Sequence, residues 1–317
     1  MRLPDKVVER TLFMLATSSV VILALITVFI FREGSPLLLS VGPGRFFSTE
    51  WHPTQGQYGI ALMIVGTAVV TAGALLIGVP FGLACAIVLA EMAPARLRAY
   101  LKPTIEILAG IPSVVYGFMG IVVLLPWIRN NLGGAGASAL AGSVILGVMV
   151  LPTIIGISID ALSAVPRSYR DGALALGATE WQTVWRVVLP AARSGIVAGV
   201  ILGMGRAVGE TMAVIMVAGN SVQMPRSPLD SVRTLTANIA LEMGYAAGDH
   251  RAALFATGIV LFVIIMILNA GANLARGSGR SRAPRSAATR APGASIPPVG
   301  SVRPGAAPVA RVKREAT

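Results

Sequence analysis

An arginine and a glutamate four residues apart, Arg206 and Glu210, stand in the run GMGRAVGETMAV (203–214), which is otherwise apolar enough for a membrane helix. At 3.6 residues per turn, Gly195, Gly199, Gly203, Arg206, Glu210 and Ala213 share an arc of roughly 80 degrees on one continuous helix. Glycines at four-residue spacing let another helix backbone come close, so this face is expected to meet protein or a cavity. Lipid exposure would cost about 3 kcal/mol or more for each charge. One reading is a self-neutralising pair that stabilises a bundle. Against it, i,i+4 pairs are stronger with the acid first, and a buried pair often loses in desolvation what it gains in attraction. The other reading is a path for an oxyanion. The planar fork of Arg206 suits such a group bidentately, with Glu210 orienting the guanidinium and accepting a hydrogen bond from an anion that still carries protons.

The rest of the chain must hold these charges in a membrane. Of 317 residues, 55% are hydrophobic and only 13% charged, too apolar for an ordinary soluble domain. The net charge of +12 raises nucleic acid as a partner, but 9 of the 26 basic residues lie in 276–317, beside one acid, Glu315. The basicity is mostly a property of this tail, which favours anionic lipid over nucleic acid. Cys85 is the single cysteine, and His52 and His250 are the two histidines, so one chain supplies neither a disulfide framework nor a Cys/His zinc site.

A span needs about 20 apolar residues, and six stretches qualify: 11–31, 60–89, 107–128, 139–162, 195–219 and 252–275. The first is read as a retained anchor, since its apolar run is long for a signal peptide and no small-residue cleavage site follows. Gly78 and Pro80 are expected to kink the second span, and Gly110 and Pro112 to loosen the third midway. With the N-terminus inside, the cytoplasmic side collects nineteen Lys and Arg, tail included, against six outside. Both termini are therefore expected in the cytoplasm. Residues 1–275 read as one transmembrane domain, and 276–317, rich in Arg, Ala, Pro, Gly and Ser, as a disordered basic cytoplasmic tail. Glu106 and Asp160 near span ends read as interfacial charges or gate contacts, and Pro112 with Ser113 as a packing kink or an opening to the pathway.

The loop at about 166–191 has its own pattern of two short helices. Ser168 with Asp171 and Thr179 with Gln182 have capping-box spacing, Gly177 suits a left-handed helix end, and Pro190 limits the second helix. Leu174, Trp181, Trp185 and Val188 form a helical apolar stripe. The stripe folds back on the membrane ends or docks a cytoplasmic partner.

Asp171-Gly172-Ala173, three residues, Gly177 and then Pro190 resemble the EAA loop of bacterial ABC importer permeases, with Asp for Glu and Gly for Ala. Gly172 weakens its helix by about 1 kcal/mol relative to Ala. GRAVGETMAV and the stretch EILAGIPSVVYG (106–117) are similar to the PstC-type permease subunit of phosphate ABC importers, over roughly residues 1–275. The continuation Thr211-Met212 separates this run from sulfate and molybdate permeases. The resemblance implies an all-α, polytopic permease fold of six transmembrane helices with cytoplasmic coupling helices, in the bacterial plasma membrane. It also implies a phosphate pathway at Arg206, Glu210 and Thr211, and ATPase coupling through Asp171, Gly172, Ala173, Gly177 and Pro190. The implied partners are a second, PstA-like permease subunit, a PstB-like ATPase dimer and an extracytoplasmic phosphate-binding protein. ATP and Mg²⁺ would be bound by the ATPase, since no Lys here follows a Gly as a phosphate-cradling loop requires. The chain itself is expected to be no enzyme and to hold no cofactor or metal. The alternatives are a permease for sulfate or molybdate, or a secondary transporter or channel without an ATPase.

Overall fold

The computed structural model describes residues 5–277, so the tail beyond Gly277 lies outside it. Six helices are long and apolar enough to cross a membrane: Val7–Val41, Ala61–Met92, Ser113–Asn131, Ala139–Ser163, Glu180–Gly209 and Gly248–Gly271. The chain begins with α1 (Asp5–Val41) and the single turn α2 (Pro43–Phe46), then forms an antiparallel hairpin of β1 (Trp51–His52) and β2 (Gln57–Tyr58). Helices follow: α3 (Ala61–Ile87), α4 (Ala95–Ala109), α5 (Ser113–Met119), α6 (Leu125–Asn131) and α7 (Ala139–Ser163). After these come α8 (Arg167–Ala175), α9 (Glu180–Thr183), α10 (Leu189–Gly209), α11 (Met212–Val217), α12 (Leu235–Glu242) and α13 (Gly248–Gly277).

The fourth span, α7, is the centre. Its apolar window is 61% buried, against at most 33% for any other span. Both α3 and α10 lie along it, while α1 pairs with α13. Small residues set these distances. A Cβ on Gly78 of α3 would stand 2.8 Å from Val150 Cγ2 and 3.1 Å from the Gly147 carbonyl oxygen. One on Gly203 of α10 would stand 3.0 Å from Ile154 Cγ1. Val70, Ala74, Met149, Val150 and Ile154 close the space between. Where α1 meets α13, Phe29–Phe255 and Phe31–Phe262 pack edge to face at 5.4 and 6.2 Å.

α3 continues as helix through Pro80 as far as a π-turn, Val88–Met92, and Gly78 is a site of close packing. Two other elements depart from the sequence reading. The third span starts at Ser113, because Pro112 is extended (ψ 139) and ends the helix that precedes it. Residues 107–109 thus belong to α4, whose Lys102 lies 3.6 Å from Asp160 at the exposed end of α7. The fifth span starts as early as Glu180 and stops at Gly209. Pro190 does not limit the loop's second helix, since the π-turn Val184–Val188 just before it absorbs the missing N–H and leads into α10.

Two glycines on facing helices separate close packing from mere helix propensity. Gly78→Val should destabilise the purified protein by about 1–3 kcal/mol through overpacking, read as an earlier thermal transition in detergent. Gly156→Ala, where a Cβ meets nothing within 4 Å, should leave that transition unchanged or raise it, by about 1 kcal/mol at most.

Candidate functional site

Arg206 lies in the last turn of α10, half-buried, and its Nη1 donates to Thr153 Oγ1 of α7 at 3.3 Å. Tyr116 of α5 is within range of its charge and donates its hydroxyl to the Leu108 carbonyl at 2.9 Å. The glycine face is packed as expected: Gly195, Gly199 and Gly203 meet Ala161, Ile157 and Ile154 of α7. Those glycines bring α10 close enough for Arg206 to reach Thr153. The positions left open beside Arg206 are Gly205 and Gly209, where a Cβ would meet nothing within 4 Å.

The expected register of Arg206 and Glu210 does not hold. α10 ends at Gly209, and Glu210 is extended, with φ −70° and ψ 131°. Its Oε1 accepts from the Ala213 backbone N–H at 3.1 Å, so the carboxylate satisfies a free donor at the start of α11. Its carbonyl accepts from Thr236 Oγ1 of α12 at 2.9 Å. Among the described residues Arg206 forms no ion pair. Glu210 therefore shapes the helix break and does not orient the guanidinium; Thr153 does. Thr211 sits half-buried in the break, donating its hydroxyl to the Gly209 carbonyl at 3.3 Å. Since no carboxylate neutralises Arg206, the preference for a proton-bearing anion no longer follows.

The loop 166–191 folds as α8, a left-handed turn at Gly177 (φ +83°), and α9. Thr179 and Gln182 make the expected reciprocal cap, at 3.0 and 3.2 Å. Ser168 caps nothing, because α8 begins one residue earlier, behind Pro166. Val188 is buried, but Leu174, Trp181 and Trp185 are 45–56% exposed, the two indoles stacked at 5.9 Å. Asp171, Gly172, Gly177 and Pro190 are exposed, and Ala173 is buried. The stripe thus folds back only at Val188 and leaves an aromatic surface uncovered.

Two charged clusters were not singled out from the sequence. Beside α8, Arg170 grips Glu91 through Nε and Nη2 at 3.1 and 2.6 Å. That hydrogen bonding outweighs partial burial and pushes the Arg170 pKa above its ordinary value. At the hairpin end, the buried Glu242 carboxylate takes Arg233 Nη1 at 2.6 Å and Trp51 Nε1 at 3.1 Å, with His250 Nε2 at 2.8 Å. One carboxylate so joins the hairpin, α12 and the start of α13. The sequence sign of it is a single acid closing the apolar run TLTANIALE, nine residues after Arg233. Glu242→Ala would leave the half-buried Arg233 without its charge partner and the Trp51 and His250 nitrogens without their acceptor, and a loss of about 3 kcal/mol is expected, larger than for Glu242→Gln, in a thermal melt of the purified protein.

Residues 78–275 match the family described as the binding-protein-dependent transport system inner membrane component. A probable ABC transporter permease protein, YqgH, of Bacillus subtilis is 45% identical over 247 residues, covering 75% of this chain and 80% of its own. The phosphate transport system permease protein PstC of Xylella fastidiosa is 38% identical (73% and 78% covered), and that of Mesorhizobium japonicum 35% identical (84% and 88%). Among solved structures, a chain of a bacterial ABC transporter that imports the polysaccharide alginate superposes with a TM-score of 0.58 at 15% identity, covering 87% of this chain and 99% of that one. A chain of the MetNI methionine ABC transporter, in an inward-facing form, gives 0.55 at 19% identity, covering 73% and all of it. At those identities the likeness concerns the fold; the span matched by the family, 78–275, takes in both the helix break beside Arg206 and the loop 166–191. The chain is a member of the binding-protein-dependent transport system inner membrane component family, an all-α, multi-pass membrane permease.

Proposed function

We propose that this chain is the transmembrane subunit of an ATP-driven importer that carries inorganic phosphate across the bacterial plasma membrane. The observation that carries the reading is Arg206: a half-buried guanidinium at a helix break, in a membrane span, bonded among the described residues to one neutral hydroxyl and to no carboxylate. Such a charge needs a counter-ion, and a planar fork of N–H donors fits a tetrahedral oxyanion. The two PstC relatives, both named for phosphate transport, support phosphate as that oxyanion.

The remaining roles follow from the same reading. Arg206 meets the anion; Glu210 and Thr211 shape the break beside it. The exposed surface of α8 and α9, with Asp171, Gly172, Gly177, Leu174, Trp181 and Trp185, faces the cytoplasm and docks an ATPase subunit, with Ala173 and Pro190 fixing the helices behind it. Both termini lie on that side, by the excess of Lys and Arg. A PstA-like second permease subunit completes the pathway, a PstB-like ATPase dimer binds ATP and Mg²⁺, and an extracytoplasmic binding protein delivers phosphate to the hairpin end.

Vesicles containing the whole complex, given labelled phosphate with sulfate, molybdate or arsenate as competitors, test the assignment. Arg206→Gln should lower uptake to background while the complex stays in the membrane; normal uptake in that variant would refute the site. Competition by sulfate or molybdate but not arsenate would move the substrate to another oxyanion. An ATPase should co-purify with the complex and be lost on substitution of Asp171 and Gly177, and its absence from the wild-type preparation would sink the importer reading.

A further inference from the structure

The short helix α8 is held to the membrane body by very little. Of its nine residues only Ala173 is buried and only Arg170 half-buried. Arg170 makes the connection. Its Nε and Nη2 hold both oxygens of Glu91, on the π-turn that ends the second span, and the Glu91 side chain is only 9% exposed. Its Nη1 donates to the Val165 carbonyl at 2.7 Å, and Nη2 also to that of Leu162 at 3.0 Å. These carbonyls lie at the C-terminal end of α7, where backbone acceptors lack helical partners and the helix dipole favours a cation. From the other side, Arg98 of α4 donates through Nε to the Leu89 carbonyl at 2.7 Å. The end of the second span is thus fixed by one guanidinium on its backbone and another on its carboxylate.

We propose that the Arg170–Glu91 pair is the joint that transmits displacement of α8 to the second and fourth spans, making both of them positioning residues for transport. The proposal rests on the importer reading above. A bidentate pair resists rotation as well as separation, so α8 cannot tilt without pulling on the π-turn and on the end of α7. α7 is a continuous helix, and Thr153, the partner of Arg206, lies nine residues before Leu162, about 14 Å along its axis. Movement imposed at α8 therefore reaches the hydroxyl that orients Arg206 through one rigid element.

The test uses the whole importer in proteoliposomes, with its ATPase subunits and binding protein, and reads solute uptake and ATP hydrolysis in the same preparation. Glu91→Gln keeps the shape and removes the charge; Arg170→Lys keeps the charge and removes the fork. For each, uptake should fall roughly 3- to 30-fold, the span of coupling energies carried by such contacts, while hydrolysis stays within about twofold of wild type. ATP used per solute then rises, which a merely folding role would not produce. Uptake and hydrolysis falling in proportion, or neither changing, overturns the joint. If one variant does not assemble, the ratio is read on the other; loss of assembly in both assigns the pair to folding and overturns the proposal. A wild-type complex that carries sulfate in place of phosphate would sink the substrate assignment and leave this ratio test intact.

Discussion

Close approach of three helix backbones, α3, α7 and α10, is the constraint on which the rest of the molecule depends. In lipid the hydrophobic effect gives helices no reason to associate, so packing contacts and polar bonds must hold them. Glycine makes the contact area available. Gly78 approaches α7 so tightly that a Cβ there would collide with Val150, and one on Gly203 would press on Ile154. Because α10 lies that close, Arg206 can reach Thr153, and because α3 lies that close, its π-turn brings Glu91 beside the end of α7, where Arg170 grips both.

Polar groups are distributed as a low-dielectric surrounding requires. Where the fifth span breaks at Glu210, the loose backbone is answered from nearby: the Glu210 side chain takes the Ala213 N–H, and Thr236 donates to the Glu210 carbonyl. Irregular backbone at membrane depth is tolerated when protein covers it in this way. Glu242 shows the same economy, collecting partners from either side of α12 and from the distant hairpin. Arg206 is the departure, a charge with a neutral partner only. Incomplete satisfaction of a polar group is costly, and the proposed anion pathway answers that cost.

Much was legible in order along the chain. The apolar runs placed six spans, and Thr179 with Gln182 announced its helix start by chemistry local to four residues. Gly177 announced the turn between the loop's two helices, since a left-handed residue favours glycine. The errors fell at helix ends. From the sequence Pro190 reads as a stop, yet a π-turn carries the helix past it, while Glu210 reads as helical and is the break. Pro80 lies within α3 and Pro103 within the exposed α4, whereas α4 stops at Ala109, three residues before the extended Pro112. A proline in an apolar run does not by itself decide between continuing and ending a helix.

By itself, then, the sequence determined that this is a membrane protein of six apolar spans, with Arg206 and Glu210 in one of those runs and two short helices in one loop. Composition, periodicity and local capping suffice for that, because each acts over a few residues; the permease family is reached only through the resemblance of its motifs. Only the tertiary structure decided which groups meet. Thr153 with Arg206, Glu91 with Arg170, and Trp51 and His250 with Glu242 are partners separated by 8 to 191 residues. Nothing in a side chain's own type names such a partner. The partner is chosen by which helices can approach, and that is fixed by small residues on faces that exist only once the spans have packed.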